Sequence, residues 1–274
     1  MRIKKQRRIL RSVIMLLLAC IVGFPLYYVF VNTFKTQREV VENPLALPQS
    51  FYLGNYIDVV REVPLAQSFG NTLYVTAVAV TVQLLIGAMA AYAMVMRRST
   101  FNRVLEAALL FAFVVPAQST LIPLYRILVG AGLVDDLNGL VAMYTAGSVF
   151  CYFLIQGYMR TLPFEVIEAA RIDGAGPTRI FWSIVLPLIR PILVTVGVFQ
   201  TMWVWNDFVF PTVFISSPSK QTIVQQIYSS VGEFATDWPS FMTLTVIALI
   251  PMVIFFIFAQ RHIVSGLLAG STKG

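Results

Sequence analysis

Six long apolar stretches follow one another along the chain, with short polar segments between them. They lie at residues 9–34, 71–96, 104–125, 139–159, 183–205 and 241–260. A helix needs about 20 apolar residues to cross the hydrocarbon core of a bilayer, and each stretch is long enough. The first two are longer than this and must tilt or extend beyond the hydrocarbon. The pattern predicts an all-α membrane protein with six transmembrane helices.

Lysines and arginines are distributed unevenly over the polar segments. If the N-terminus is cytoplasmic, most of the 20 basic residues lie on the cytoplasmic side, beginning with the cluster from Arg2 to Arg11. The outside segments then carry Lys35, Arg38, Arg61, Arg126 and Lys220. Because basic loops tend to stay in the cytoplasm, both termini are predicted to be cytoplasmic. The net charge of +7 is therefore assigned to topology and anionic membrane lipid rather than to nucleic acid.

The composition agrees with a membrane location and argues against an enzyme. Hydrophobic residues make up 58% of the chain and charged residues 12%, about half the charged share of a soluble domain. The one histidine, His262, and the two cysteines, Cys20 and Cys151, form no sequence cluster that could hold a metal ion. The sequence contains neither a G-x-x-x-x-G-K-[ST] phosphate loop nor a set of residues that suggests hydrolysis. We therefore expect no catalytic residues, metal or cofactor in this chain.

Neither the N-terminus nor the outside loops are expected to form a separate unit. The basic start fits a signal peptide, and Leu17 to Cys20 loosely resembles a lipoprotein cleavage site. The apolar run continues to Phe34, however, which is too long for the hydrophobic region of a signal peptide. The two longest outside loops have about 35 residues each, which is too few for an independent domain. Residues 1–274 are therefore expected to form a single transmembrane domain.

The cytoplasmic segment at residues 160–182 contains the start and stop signals of a short helix. Pro163 suits a first helical turn, and Glu165 favours the positive end of the helix dipole. Ala169-Ala170 is small, so another surface could approach it closely. Gly174 can adopt the left-handed conformation that ends a helix. The residues alone leave two interpretations open: a helical surface for a partner, or a packed loop that only connects two spans.

The same segment resembles the EAA loop of ABC importer permeases. The residues that carry the resemblance are Glu168-Ala169-Ala170, Asp173-Gly174-Ala175, Phe181, Ile184, Leu186-Pro187 and Pro191. Matches to the carbohydrate-uptake (maltose-type, binding-protein-dependent) branch continue at Phe34-Lys35-Thr36, Asn55-Tyr56, Asn71-Thr72, Ala91-Tyr92-Ala93, Pro116, Pro123, Trp205-Asn206-Asp207 and residues 266–274. The resemblance thus covers nearly the whole chain.

The resemblance implies a type I ABC importer permease fold and a division of labour among subunits. The implied partners are a second homologous permease, two cytoplasmic ATPase subunits and an extracytoplasmic substrate-binding protein, assembled in a bacterial or archaeal plasma (inner) membrane. The ATPases, and not this chain, would bind ATP and Mg²⁺. Their closure would move the EAA loop as a coupling helix and switch an alternating-access pore. The residues implied in ATPase coupling are Glu168, Ala169, Ala170, Asp173, Gly174 and Ala175.

The implied cargo is a sugar or oligosaccharide, which offers hydroxyl groups and flat C–H faces. Polar and aromatic residues of the spans are the candidate pathway residues: Tyr74, Gln83, Gln118, Tyr144, Gln200, Trp203 and Asn206. The alternative role for each is a hydrogen bond to backbone or to a neighbouring helix. A stand-alone secondary transporter or channel is the alternative function for the chain. The spans carry no acidic residue or histidine at mid-membrane, which disfavours proton coupling.

Overall fold

The computed structural model describes the backbone of residues 2–97, 99–233 and 237–271, and the side chains of residues 10–97, 99–228 and 237–261. His262 and the C-terminal match at residues 266–274 lie outside the described side chains. Within the described residues, the regular elements are all helical, which confirms the predicted all-α class.

The helices are named here in chain order. They are α1 (Arg2–Asn32), α2 (Gln37–Glu42), α3 (Gly54–Glu62), α4 (Leu65–Met96), α5 (Thr100–Val114), α6 (Leu121–Gly130), α7 (Leu137–Tyr144), α8 (Ser148–Met159), α9 (Phe164–Ile172), α10 (Pro177–Ile180), α11 (Leu186–Leu188), α12 (Arg190–Trp205), α13 (Val209–Phe214), α14 (Ile223–Glu233) and α15 (Trp238–Ser271). Short 3₁₀ turns lie at Ala117–Thr120, Thr145–Gly147 and Pro218–Lys220, and Phe181–Val185 forms a π-helical turn.

Four helical regions are long and apolar enough to cross a membrane as single spans. They are Leu10–Asn32, Leu65–Met96, Leu137–Met159 and Trp238–Arg261. Two further apolar helix pairs are sharply bent: Thr100–Val114 with Ala117–Gly130 by 93°, and Pro177–Leu188 with Arg190–Trp205 by 74°. If each bent pair is one span, the described residues contain six spans, which is the number that the sequence predicts.

The prediction of one continuous helix over residues 104–125 is wrong. Helix α5 ends at Val114, and both Val115 (ψ 121°) and Pro116 (ψ 128°) have extended backbones. A proline ring disfavours the helical conformation in the residue before it, so a helix usually ends at such a site. The fifth predicted stretch is also interrupted, at Ile189 shortly before Pro191, because proline lacks the amide hydrogen that would continue the helix.

The chain divides into two compact units, and each is described by itself. The first comprises Met1–Leu65 and Gln226–Pro251, and the second comprises Ala66–Gln225 and Met252–Gly274. In the first unit, α1 has no buried side chain between Leu10 and Phe30, which leaves this apolar surface for lipid or another chain. The expectation that residues 1–274 form a single domain stays a prediction.

A hydrogen-bonded turn follows α1 in the first unit. The side chain of Lys35 is fully buried, and its Nζ donates to Asn32 Oδ1 (3.0 Å) and to the carbonyls of Asn43 (2.9 Å) and Pro44 (3.2 Å). Asn55 Nδ2 in turn donates to the Lys35 carbonyl (2.9 Å). Burial lowers the pKa of Lys35. The Lys35 ammonium group thus bonds to the end of α1 and to the residues after α2, and it holds these two parts of the chain together.

The core of the second unit forms where α4 packs closely against α8. Ala88 on α4 and Cys151 on α8 are both fully buried. A Cβ atom at Gly87 would lie 2.6 Å from the Cβ of Cys151, so only glycine permits this approach of the two helices. Buried Ile167 and Ile180 belong to the same core cluster. The core therefore extends from the spans to the cytoplasmic segment predicted to contact a partner.

A hydrogen-bonded cluster ties together two loops at the predicted outer side of the second unit. Asp135, which has a φ of 57°, accepts from the backbone amides of Ser216 (3.0 Å) and Ser217 (2.9 Å) and from the Ser217 hydroxyl. These bonds, chiefly the one from the Ser217 hydroxyl, lower the pKa of Asp135 to about 2. Lys220 Nζ lies 3.8 Å from the carboxylate. The loop before α7 is thus held against the loop after α13 by a group that stays ionised at neutral pH.

Candidate functional site

Helix α9 lies in the predicted cytoplasmic segment and is anchored to the core from one side. Pro163 precedes its first turn with an extended backbone, and Glu165 lies in that turn, as the sequence predicts. Ile167 is 1% exposed and packs in the same cluster as Phe181 and Met159. Helix α9 is therefore anchored through one buried face to the core cluster that includes Met159 of α8 and Phe181 after α10.

The end of α9 has the hydrogen bonds of a glycine-terminated helix. Gly174 has a φ of 79°, which is the left-handed conformation expected from the sequence. The Ala175 amide donates to the Ala170 carbonyl (2.9 Å), and the Gly174 amide donates to the Arg171 carbonyl (3.0 Å). This pattern closes the helix and turns the chain toward Pro177, where α10 begins. A side chain at position 174 would have to adopt a backbone conformation that L residues rarely take.

The structure sorts the predicted coupling residues into an exposed set and a packed set. Glu168, Ala169, Asp173 and Gly174 are exposed, whereas Ala170 and Ala175 are partly buried and pack against the core cluster. Glu168 also lines a cavity of about 360 Å³ beside α9, together with Val95, Met96, Phe164, Ile167 and Arg171. The exposed set is therefore the part of the loop that a partner could contact directly.

Ile172 is a candidate contact residue that the sequence reasoning missed. Its side chain is 86% exposed, at the end of α9. At 3.6 residues per turn, Ile172 shares a helix face with Glu168 and Ala169 and lies opposite the buried Ile167. A signal was present in the sequence, since an apolar residue falls on the polar face of a short helix that precedes a glycine stop. Ile172, Glu168 and Ala169 are all exposed, so together they form a candidate contact face of α9.

Two of the candidate pathway residues, Gln83 and Gln200, form a buried clasp around a break in the fourth span. Gln200 Nε2 donates to Gln83 Oε1 (2.9 Å) and to the Gly147 carbonyl (3.3 Å), and Gln83 Nε2 donates to the Tyr144 carbonyl (2.5 Å). Gln83 is fully buried and Gln200 is 5% exposed. The clasp thus bonds to the carbonyl just before the 3₁₀ turn Thr145–Gly147 and to the carbonyl of its last residue. In this conformation both amides are used within the protein, and their place in a pathway stays a prediction.

Tyr144 continues this hydrogen-bonded chain toward the predicted outer side. Its hydroxyl donates to Asp207 Oδ2 (2.6 Å), and the Asp207 carboxylate accepts from the amides of Val209 (3.1 Å) and Phe210 (3.3 Å) at the start of α13. The ring of Tyr144 meets Trp203 edge-on, with 5.8 Å between the ring centroids. Tyr144 is only 2% exposed, so it positions Trp203 and α13 rather than offering its own surface.

The remaining candidate pathway residues are exposed in the chain. Trp203 is 48% exposed, and Asn206 lies one turn further along the same helix surface. Tyr74 is also exposed, and its hydroxyl donates to Asn138 Oδ1 (2.6 Å). Gln118 lies in the 3₁₀ turn after the break at Pro116. The structure thus places Trp203 on the last turn of α12 and Asn206 directly after that helix, while Gln118 lies on a separate element.

The chain matches a known family and its members from several bacteria. The profile of the family described as binding-protein-dependent transport system inner membrane component matches residues 83–268. Over 250 residues the chain is 34% identical to the probable starch degradation products transport system permease protein AmyC of Thermoanaerobacterium thermosulfurigenes, with 91% of each chain covered. Over 260 residues it is 30% identical to the melibiose/raffinose/stachyose import permease protein MelC of Bacillus subtilis (strain 168), with 94% of each covered.

A solved structure shares the fold over nearly the full length. It is a chain of a bacterial ABC transporter involved in the import of the acidic polysaccharide alginate, with a TM-score of 0.82 and 23% sequence identity. The match covers 95% of this chain and 98% of that chain. The prediction of an ABC importer permease fold is thus confirmed. Because the family profile covers most of the chain, including α9 and Gly174, this protein belongs to the binding-protein-dependent transport system inner membrane components, the multi-pass permease subunits of ABC importers.

Proposed function

We propose that this chain is one permease subunit of an ATP-driven importer of a sugar or oligosaccharide, and that a cytoplasmic ATPase subunit docks on α9. The observation that carries the proposal is the exposed face of α9, formed by Glu168, Ala169 and the 86%-exposed Ile172. Helix α9 is anchored to the core through Ile167 on its opposite face, so the exposed Ile172 can form a rigid contact with a partner protein. Glu168 adds a carboxylate that can form a charge-assisted hydrogen bond with an ATPase arginine.

The assignment to sugars rests on the relatives and on the exposed surface of α12. AmyC carries starch degradation products in its name, and MelC carries melibiose, raffinose and stachyose in its name. Trp203 offers an exposed ring that could stack on the C–H face of a sugar, and the Asn206 amide lies one turn away. The buried Tyr144 holds that ring in place. An aromatic surface with a neighbouring amide fits a neutral, hydroxylated cargo.

Apolar surfaces that this chain leaves uncovered support a second permease subunit as a partner. Helix α5 buries none of its side chains, and α1 buries none between Leu10 and Phe30. A second homologous permease would cover part of these apolar surfaces, and lipid would cover the rest. Two ATPase subunits would bind ATP and Mg²⁺ below the membrane, and a substrate-binding protein would deliver sugar from outside. Closure of the ATPases would then move α9 and switch the pore between its inward- and outward-facing states.

We expect Ile172→Glu to abolish recovery of the ATPase subunit with the permease. The substitution places a charge where the proposal puts a desolvated apolar contact, and loss of such a contact costs about 2 kcal/mol or more, a roughly 30-fold weaker interaction. The measurement is pull-down of the ATPase by tagged permease from detergent-solubilised membranes. Ile172→Leu should retain recovery because it keeps the apolar volume.

The matched control for the added charge is Thr178→Glu. Thr178 is exposed and lies in the first turn of α10, where a carboxylate is compatible with the helix dipole. Recovery of the ATPase should therefore stay near the wild-type amount. Normal recovery with Ile172→Glu would contradict docking on this face of α9.

A further inference from the structure

A polar network of two partly exposed and two buried residues links the third span to the segment just before α9. Glu106 on α5 accepts from Arg160 Nη2 (3.2 Å), and Arg160 follows directly after α8. The Gln156 amide, oriented to match its neighbours, donates to the same Glu106 oxygen (3.1 Å) and accepts from Arg160 Nη2 (3.1 Å). The Tyr152 hydroxyl lies 2.6 Å from the Gln156 amide. The Glu106 carboxylate on α5 thus bonds directly to Arg160 and Gln156 of the α8 segment, and Gln156 links it to Tyr152.

The network acts where apolar packing is weak. Helix α5 has no buried side chain, and near its far end Phe113 stacks beside Phe150, with 6.2 Å between the ring centroids. Near its cytoplasmic end, Glu106 and Arg160 line a cavity of about 580 Å³ together with Phe164, the first residue of α9. The cavity separates α5 from Phe164, and the Glu106 contacts bridge α5 to the end of α8 beside this cavity.

The network differs in kind from an isolated surface ion pair. Arg160 and Glu106 are partly exposed, so their mutual attraction alone contributes little to stability. Gln156 and Tyr152 are 4% and 1% exposed, however, and their polar atoms are satisfied through this cluster. A buried amide that loses its partner is costly, so the cluster favours one arrangement of α5 relative to α8.

The network lies where a movement of α9 could be passed to α5. Arg160 lies four residues before Phe164, so a displacement of α9 reaches Arg160 through three intervening residues. After α5 ends, the chain runs past the break at Pro116 into the 3₁₀ turn that carries Ser119. Resting on the proposed function, we propose that Glu106 is a positioning residue that makes the bent third span move with α9 when the ATPases close.

The experiment uses a reporter on the far side of the break and needs no knowledge of the sugar. Ser119→Cys is introduced with Cys20→Ser, because Cys20 is exposed and Cys151 is buried. The complete complex with partner permease and ATPases is placed in lipid nanodiscs. The rate of maleimide labelling at position 119 is measured without nucleotide and after trapping with ATP and vanadate. In this parent complex, we expect trapping to change the rate by about fivefold or more.

Charge reversal tests the role of the pair. Glu106→Arg and Arg160→Glu, each alone, should remove most of the nucleotide-dependent change while ATPase recovery stays normal. The double variant should restore the nucleotide-dependent change. The Gln156 amide can still donate to the carboxylate and accept from the guanidinium when the two charges have exchanged positions. Glu106→Gln, which keeps the side-chain shape, should lose part of the change. Arg103→Gln is the control, because Arg103 lines the same cavity and no ion pair is described for it among residues 99–228.

Three results separate the proposals. A full nucleotide-dependent change in both single variants would overturn the role of Glu106 and leave the proposed function standing. A double variant as impaired as the singles would also overturn it, because the charges would not be acting as a pair. A parent complex that recruits no ATPase would overturn the proposed function and this inference with it.

Discussion

Gly174→Val is expected to uncouple the permease from its ATPase without preventing membrane insertion. Gly174 has a φ of 79°, and a left-handed conformation costs a β-branched residue about 1–2 kcal/mol. No atom lies within 4 Å of the added Cβ, so the effect comes from the backbone and not from a collision. The strained end of α9 should relax to another conformation, which displaces the exposed face that precedes it. ATPase recovery should fall by about 5- to 30-fold, as measured by pull-down with the membrane-inserted amount as reference.

Gly176→Val is the matched control for this prediction. Gly176 lies two residues further along the same loop, with φ −70° and ψ 160°, which any residue can adopt before a proline. A Cβ atom there also meets nothing within 4 Å. The same side chain in the same loop should therefore leave recovery near normal. Equal losses in both variants would show that the conformation of Gly174 is not what matters.

Gly147→Ala is expected to destabilise the permease itself. The added Cβ would lie 2.7 Å from Nε2 of both Gln83 and Gln200, which is closer than real Cβ contacts come. Both amides are buried and hydrogen-bonded, so moving them breaks bonds to Tyr144 or between the glutamines. A buried polar group left without its partner costs about 1–3 kcal/mol. The Tm of the purified chain in detergent should fall by several degrees.

Gly157→Ala provides the comparison within the same span. Gly157 lies inside α8, and a Cβ atom there meets nothing within 4 Å. Alanine is favoured over glycine in a helix interior by up to about 1 kcal/mol, so the Tm should stay level or rise. A lower Tm for Gly157→Ala, or an unchanged Tm for Gly147→Ala, would contradict the account of the clasp.

The number of spans and the position of α9 were predictable because their signals are local. Apolar length marks the spans, and the turn residues around α9 mark its start at Phe164 and its end before Gly174. The start of α4 at Leu65 was harder to predict, since polar residues such as Gln67 and Asn71 lie within the helix and make its first turns less apolar. The predicted start at residue 71 is therefore late.

The clasp and the Glu106 network could not be predicted, because they depend on how helices pack. Gln83 and Gln200 are 117 residues apart in the chain, and nothing in their own neighbourhoods indicates that their amides meet. Glu106 and Arg160 are 54 residues apart. Ile172 is a different case, since its exposure follows from the helix period once α9 is known to bury Ile167.

The most direct test of the central claim is ATP-dependent sugar uptake by the reconstituted complex. The sugar is first identified by a thermal-shift screen on the binding protein that co-purifies with the complex. Uptake of that sugar is then measured in vesicles that enclose ATP, with binding protein outside. The account predicts uptake that requires enclosed ATP, both permeases and the ATPases together. Robust uptake by this chain alone, with no ATP, would contradict it and favour a stand-alone transporter or channel.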